Sequence, residues 1–554
     1  MAQDSEIELA QNPLSDSNTS ISIEHDDGPC ADLGSADASF DFSHCTYSVF
    51  VDNKETGGKD PKKLVTDLSA SIPPGTVLAV MGPSGAGKTT LLSMLMLDPV
   101  GGKPEGVVTL GGHPFTLALY QKHCAVVTQH DCLWWAMSTR EHLASALDFY
   151  QPTITGAART AYLDELIEDM GLKSAEHTRA GNASFKGLSG GQKRRLSLAV
   201  ALCKKPHVVF LDEPTSGLDA AAAASIMGFL KKVAEKQQIS IFCTIHSPSA
   251  AVFAGFDRVL FLTGGCPAYL GRGDALTAYL EDAGEPPPHN TNPADHMLDL
   301  INTDFTTREK VDALIARWRA TQPDARPTAP IALLDVPRAG FAGQVHALVL
   351  KHGRLVIKDP TLYLGRLVAF PLASTLFAII FIEARARAQE QAQARVFLTF
   401  WMVAVPCMFI LIACFALSQE LVAVRREIKD GMYSVGAYVV ATSLLQLPLL
   451  FLLGLVVLVP AAYPIANFAW EYFHVSWLVL SSTLLAFEAV AQLLSLARNP
   501  LLGMLQFMVT PTHTALSRAS PLDALQRLTV LCARRRSCGS SLHSFVACSS
   551  SRRM

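Results

Sequence analysis

Lysine and arginine are missing from the chain until Lys54, while aspartate and glutamate recur throughout that opening stretch. The start "MAQDSEIELAQNPLSDSNTS" has neither a basic region nor an apolar run, which argues against a secretory leader. It also has few large apolar residues, so residues 1–43 are expected to form a solvated, disordered acidic arm. The twelve cysteines contain no C-x-x-C spacing, which excludes a zinc ribbon and a disulfide framework of the usual kinds. Net charge is only −3, so the chain as a whole is not built to bind nucleic acid.

With 554 residues, the chain is too long for one ordinary core. Its first half is mixed and polar. From about Leu367 to Met508 charges become sparse and apolar runs long. In the first half, "GTVLAVMGPSGAGKTTLLSMLM" predicts a buried strand over Val77–Met81, a glycine loop and a helix from about Gly87. It fits G-x-x-x-x-G-K-[ST] at Gly82, Gly87, Lys88 and Thr89. Glycines let backbone N–H groups wrap phosphate, the lysine reaches the β and γ oxygens, and the threonine hydroxyl binds Mg²⁺. The expected ATP-binding residues are therefore Gly82, Pro83, Ser84, Gly85, Ala86, Gly87, Lys88, Thr89 and Thr90.

"HVVFLDEPTSGLD" is an apolar strand ending in two carboxylates. Asp212 stands where an aspartate holds Mg²⁺, and Glu213 where a base polarises the attacking water. A second β-rich run ends at His246, and "VVTQHD" offers Gln129 after another. A neutral glutamine there suits contact with both Mg²⁺ and water, which makes Thr89, Gln129 and Asp212 the expected metal set. Each of these signals is weak alone; a lone histidine at a strand end is more often structural.

Together with "LSGGQ" (Leu188, Ser189, Gly190, Gly191, Gln192) and "SGLD" (Ser216–Asp219), they resemble an ATP-binding-cassette ATPase over residues 45–302. The resemblance implies Gln129, Glu213 and His246 as catalytic residues, Asp219 in the D-loop, and ATP with Mg²⁺ as cofactors. It further implies that "LSGGQ" caps the ATP held by a partner's Lys88 loop, so that a second cassette is required. "LSGGQ" also reads as an ordinary helix N-cap, and both readings hold together. Tyr47 and Phe50 are the candidates for an aromatic stacked on adenine, but alternating aromatics favour core strand positions for them.

Four apolar stretches follow, at 367–382, 396–417, 437–463 and 475–497, and three are comfortably long enough to cross a bilayer. Lys351, Arg354, Lys358 and Arg366 precede the first, and Arg425, Arg426 and Lys429 separate the second from the third. A cassette must meet cytosolic ATP, which puts both basic stretches inside; the loop "AAYPIANFAWEYFHV", with no Lys or Arg, then falls outside, as the positive-inside rule expects. The three arginines of "EARARAQEQAQARV" run against that rule. Glu488 lies inside the fourth stretch, where it either ties helices together or lines a path; the tie is the favoured reading.

The order, cassette then membrane part, resembles the G (white-type) subfamily of ABC half-transporters. "NPADHMLDLIN" (292–302) resembles its boundary motif. "RREIKDGMYSVGAYVVATSLLQLP" (425–448) suits a short coupling helix, and residues 345–367 an amphipathic connecting helix. The expected fold is an α/β P-loop ABC ATPase domain followed by an all-α transmembrane domain. Its segments are an arm (1–43), a cassette (44–302), a linker with connecting helix (303–362), a partial membrane domain (363–508) and a Ser/Arg-rich tail (509–554). The resemblance implies a multi-pass membrane protein that exports a lipid-like or other hydrophobic small molecule. It would act as a homo- or heterodimer with another half-transporter, in contact with membrane lipid. Members carry six spans and only about four are legible here, so a truncated, non-transporting subunit that regulates full-length partners is a second expectation. A soluble ABC ATPase is a third, opposed by the apolar stretches.

Overall fold

The computed structural model describes residues 38–496, apart from 53–58, 99–100, 130, 183–184, 290, 322–329, 332, 334–336, 359–364 and 387. The acidic arm up to residue 37, the expected entry to a fifth span at 497–508 and the tail at 509–554 lie outside the described residues. Two compact units emerge. One falls within Met1–Lys351 and Arg425–Val439, the other within His352–Val424 and Val440–Met554.

The first unit contains two sheets. Strands β1 (Phe40–Asp52), β2 (Lys59–Ile72), β4 (Gly102–Leu110) and β5 (His113–Pro114) pair antiparallel in the order β2-β1-β4-β5. The second sheet runs β10-β9-β3-β8-β7-β6. Its strands β3 (Val77–Met81), β6 (Cys124–Val127), β7 (Val208–Asp212), β8 (Ser240–Thr244) and β9 (Arg258–Thr263) are parallel, and β10 (Cys266–Arg272) is an antiparallel edge. Such strands are covered on both faces, which is why "VLAVM" and "VVFL" are continuously apolar and wholly buried.

Phe40 joins the two sheets. Its ring meets Phe242 of β8 edge-on at 5.1 Å, Phe210 of β7 at 5.8 Å and Phe115 at 5.2 Å. This corrects the arm boundary: β1 starts at Phe40, so Phe40–Ser43 belong to the fold. Two fully buried rings, Phe40 and Phe42, outweigh the acidic composition around them. Tyr47 is buried in the same cluster, as expected of a core strand residue. Phe50 is not: it is 56% exposed near the end of β1.

Helices α1 (Lys88–Leu95), α2 (Leu117–His123), α3 (Thr139–Tyr150), α4 (Gly156–Asp169), α5 (Gly190–Leu202) and α6 (Ala220–Gln237) follow in chain order. Then come α7 (Ala250–Phe253), α8 (Leu276–Asp282), α9 (Pro293–Leu300), α10 (Arg308–Thr321) and α11 (Phe341–Lys358). Their starts are chemically marked. Ser138 with Glu141 and Ser189 with Gln192 form capping boxes, and Asp219 and Asn292 cap α6 and α9. Asn292 also donates to the Pro248 carbonyl at 2.9 Å, which ties the "NPADH" turn to the loop after His246.

The second unit holds α12 (Gly365–Ile380), most of α13 (Ala392–Lys429) and α14 (Val435–Pro460), and α15 (Phe473–Ser495). Among the described residues, Val435–Ile465 and Trp470–Ser495 are long and apolar enough to cross a bilayer; α12 is shorter. Phe370, Leu398, Met402, Leu453, Val457 and Leu484 form its core. Gly454 leaves room for Ser481, whose hydroxyl occupies the place of an added Cβ. Glu488 pairs with Arg366 at 3.1 Å, both largely buried, in keeping with the helix-tying reading.

Two sequence expectations change. Among the described residues there is no separate short coupling helix: Arg425–Lys429 complete the 38-residue helix α13. It ends where Gly431 takes a left-handed conformation, φ 69°, and Met432 N–H returns to the Glu427 carbonyl. The connecting helix starts at Phe341, before the expected 345, and ends at Lys358.

Phe40→Ala should destabilise the first unit by about 3–5 kcal/mol, the cost of a large core ring. Denaturant unfolding of the solubilised chain, followed by cassette tryptophan fluorescence, measures this; an unchanged midpoint would contradict the role given to Phe40.

Candidate functional site

The phosphate loop fills the turn from β3 into α1, and two of its glycines are required by contact. A Cβ on Gly82 would collide with the Leu262 carbonyl, and one on Gly87, at φ 100°, would lie 2.6 Å from the Leu64 carbonyl. Lys88 Nζ donates to the carbonyls of Gly82 (2.6 Å) and Pro83 (3.0 Å). Burial lowers the Lys88 pKa from its ordinary value, and the nearby Glu213 and Asp212 carboxylates oppose that shift. Thr89 is exposed, one residue after Lys88 in the first turn of α1.

Strand β7 delivers Asp212 and Glu213 to the same end of the sheet. Thr244, at the end of the adjacent β8, handles both. Its hydroxyl donates to Asp212 Oδ1 at 2.7 Å and accepts the Glu213 N–H at 2.9 Å. Glu213 adopts φ 46°, a left-handed backbone rare outside glycine. Gln129 Nε2 donates to Glu213 Oε2 at 2.9 Å, which leaves the amide oxygen of Gln129 as an acceptor. A hydroxyl, an amide oxygen and a carboxylate are the hard oxygen donors that suit Mg²⁺. Thr89, Gln129 and Asp212 therefore fit that ion.

Other sequence-predicted residues stand apart. His246 is exposed two residues beyond β8, with Ser247 Oγ at 3.5 Å; no hydrogen bond joins it to Glu213. Ser189 and Gly190 are exposed at the start of α5, where the Ser189 hydroxyl accepts the Gln192 N–H at 3.3 Å. Asp219 caps α6 by accepting from Ala222 N–H at 2.7 Å.

Sequence reasoning missed Arg194. One turn into α5, this buried guanidinium donates to the carbonyls of Thr128, Gln129 (3.0 Å) and Glu213 (3.1 Å) and pairs with Asp131 at 3.6 Å. The signal was a charge on the inward face of an otherwise apolar helix stripe. Also missed was the anchoring of the α13 terminus. The Glu427 carboxylate accepts from Lys351 Nζ (2.7 Å), Trp134 Nε1 (2.7 Å) and Tyr433 OH (2.6 Å). Burial alone would raise the Glu427 pKa; the Lys351 charge and these three hydrogen bonds overcome it and hold the carboxyl below its usual range. Arg426 donates to the Thr128 hydroxyl and the Val126 carbonyl, next to Gln129, and Lys429 pairs with Asp98 at 2.5 Å.

Comparison with known proteins places these features. A family model described as ABC transporter matches residues 65–216, and one described as ABC-2 type transporter matches 343–516. The membrane match sets aside the soluble-ATPase reading. The chain is 30% identical over 487 residues to ABC transporter G family member 1 of Petunia hybrida, covering 80% of this chain and 73% of that one. It is 29% identical over 436 residues to Protein white of Drosophila melanogaster, covering 74% and 63%. Similarity to ABC transporter G family member 1 of Dictyostelium discoideum is 36% over 267 residues, 48% of this chain but only 33% of that relative's length.

Thr244→Val removes the hydroxyl that serves Asp212 and Glu213 while leaving the phosphate loop untouched. ATP turnover should fall about 10–100-fold, as for other residues that orient reactive groups, with nucleotide binding retained. Phosphate release and equilibrium binding of a fluorescent ATP analogue measure the two; parent-level turnover would count against the arrangement.

Proposed function

Because this chain belongs to the ABC transporter G family, we propose that its cassette closes head to tail on a second cassette over two ATP molecules and so drives export of a lipid-like or other hydrophobic compound. The second cassette comes from another copy or from a different half-transporter. The Gly82–Thr90 loop and Lys88 bind the phosphates. Thr89, Asp212 and Gln129 hold Mg²⁺, which when bound neutralises charge on the transferred phosphoryl group. Glu213 takes a proton from the attacking water, Gln129 orients that carboxylate, and His246 contacts the γ-phosphate once the pocket has closed. Asp219 works at the seam between the cassettes.

The observation that carries this reading is the contrast between two halves of a pocket. Lys88, Asp212, Glu213 and Gln129 converge on one end of the parallel sheet. Ser189 and Gly190 instead lie exposed at the start of α5, where the positive end of the helix dipole favours a phosphate. One chain offers one of each, so a partner completes both. The basic residues flanking the apolar helices support a cytosolic cassette.

Glu213→Gln keeps the hydrogen bond to Gln129 and removes the base. ATP hydrolysis should fall by about 10²–10⁴-fold, and ATP should trap a dimer detectable by light scattering in detergent. Undiminished hydrolysis would remove Glu213 from its role. Full-rate hydrolysis by a strict monomer would overturn the shared-pocket reading.

A further inference from the structure

Signature helix α5 has contacts along its whole length. Ser189 and Gly190 lie open at its start, and Arg194 grips the carbonyls of Gln129 and Glu213 one turn later. Beyond its last residue, Lys204 is fully buried, 2% exposed. Its Nζ donates to the Cys124 carbonyl at the start of β6 and, at 2.7 Å, to the Asp430 carbonyl. The ammonium also sits 5.8 Å from the Tyr120 ring centroid and 5.9 Å from that of Tyr150.

Burying a lysine is expensive unless it is paired. Among the described residues no carboxylate accepts from it; the donor is spent on backbone carbonyls. Asp430 lies directly after α13, where unpaired carbonyls carry the negative end of that helix's dipole. Arg338 reinforces the same point by donating to the Gly431 carbonyl at 3.3 Å and to that of Gln121 at 2.6 Å. Helix α5 spans 13 residues, about 20 Å of rigid rod. One end is thus built to face phosphate, and the other holds the turn from which α14 departs.

We propose that Lys204 is a positioning residue of the ATP-driven cycle: by holding the Asp430 carbonyl it makes the far end of the signature helix grip the α13–α14 turn, so that nucleotide engaging Ser189–Gly191 displaces that turn. The proposal rests on the reading that this serine–glycine turn meets ATP. Lys204 works through contacts with backbone and touches no nucleotide.

The charge on Lys204 is poised to matter. Burial pulls its pKa down to about 8; Asp430 opposes this, Arg338 adds to it, and the Cys124 thiol opposes it. Tyr120 and Tyr150 face it from α2 and α3, and Arg426 and Lys429 lie near, the first 3.5 Å from Asp430 and the second 5.9 Å from the Tyr120 centroid. Because the folded-state value is depressed, the ammonium is present below about pH 8 and is lost as pH rises through it. The charge-assisted grip weakens in that direction.

The test uses the full chain in lipid nanodiscs, in the Glu213→Gln background, with amide hydrogen exchange across residues 428–434. Adding ATP should slow exchange there by about tenfold or more, the weight of one charge-assisted hydrogen bond. Lys204→Met should abolish that response while ATP affinity stays at the parent level, and Lys204→Arg should restore it. In a second arm, corrected for intrinsic exchange, the parent response should fade through about pH 8 while that of Lys204→Arg persists. This arm decides the matter if the methionine variant does not fold. An ATP response in Lys204→Met equal to the parent's, or identical pH profiles for lysine and arginine, would overturn the proposal. Should the parent itself show no response to ATP, the shared-pocket reading fails instead.

Discussion

A single backbone conformation governs the catalytic end of this molecule. Glu213 must leave β7 in the left-handed region, a state that costs a non-glycine residue about 1–3 kcal/mol unless its surroundings impose it. Three partners do so. Thr244 accepts its N–H, Arg194 donates to its carbonyl, and Gln129 donates to its carboxylate. A β8 hydroxyl, a signature-helix guanidinium and a loop amide thus meet at one residue. Strand β8, loop glutamine and helix α5 are coupled because each contributes to holding that residue in place.

Much of this was legible as text. The glycine loop, the two acids at the end of β7 and the turn opening α5 carry their chemistry in residue type and spacing. The structure adds close backbone approaches at Gly82 and Gly87 that explain why those positions lack a Cβ. What remained hidden depends on partners distant in sequence. Arg194 meets carbonyls 65 and 19 residues away. Lys204 reaches one 226 residues away. No periodicity announces such contacts. The arm boundary failed for a related reason: local acidity at Asp41 conceals Phe40, whose ring partners lie in β7 and β8. The return of charge at Arg425 suggests a new short helix, but charged residues do not break a backbone, and α13 runs on through them to the left-handed turn at Gly431.

In the second unit the same economy of polar contacts holds. Arg366 and Glu488 bring opposite charges together within an apolar bundle, and Gln492 donates to Gln446 at 2.6 Å between α15 and α14. Buried pairs of this kind add little net stability over apolar replacements, but losing one partner strands the other. Their value lies in register: α12, α14 and α15 carry matching polar groups at fixed heights. Around them, Leu376, Ile379, Leu444, Val475 and Leu478 point outward, the surface expected of helices bathed in hydrocarbon.

Arg194 has a consequence for how this cassette tolerates change. One guanidinium serves three backbone carbonyls on two separate segments, so losing it releases both segments at once. Substitutions at Arg194, Gln129 and Thr244 share Glu213 as a common partner, and their effects cannot sum as independent sites do. Sequence drift through this cluster is therefore epistatic: viable routes change several members in concert, while single steps lead downhill.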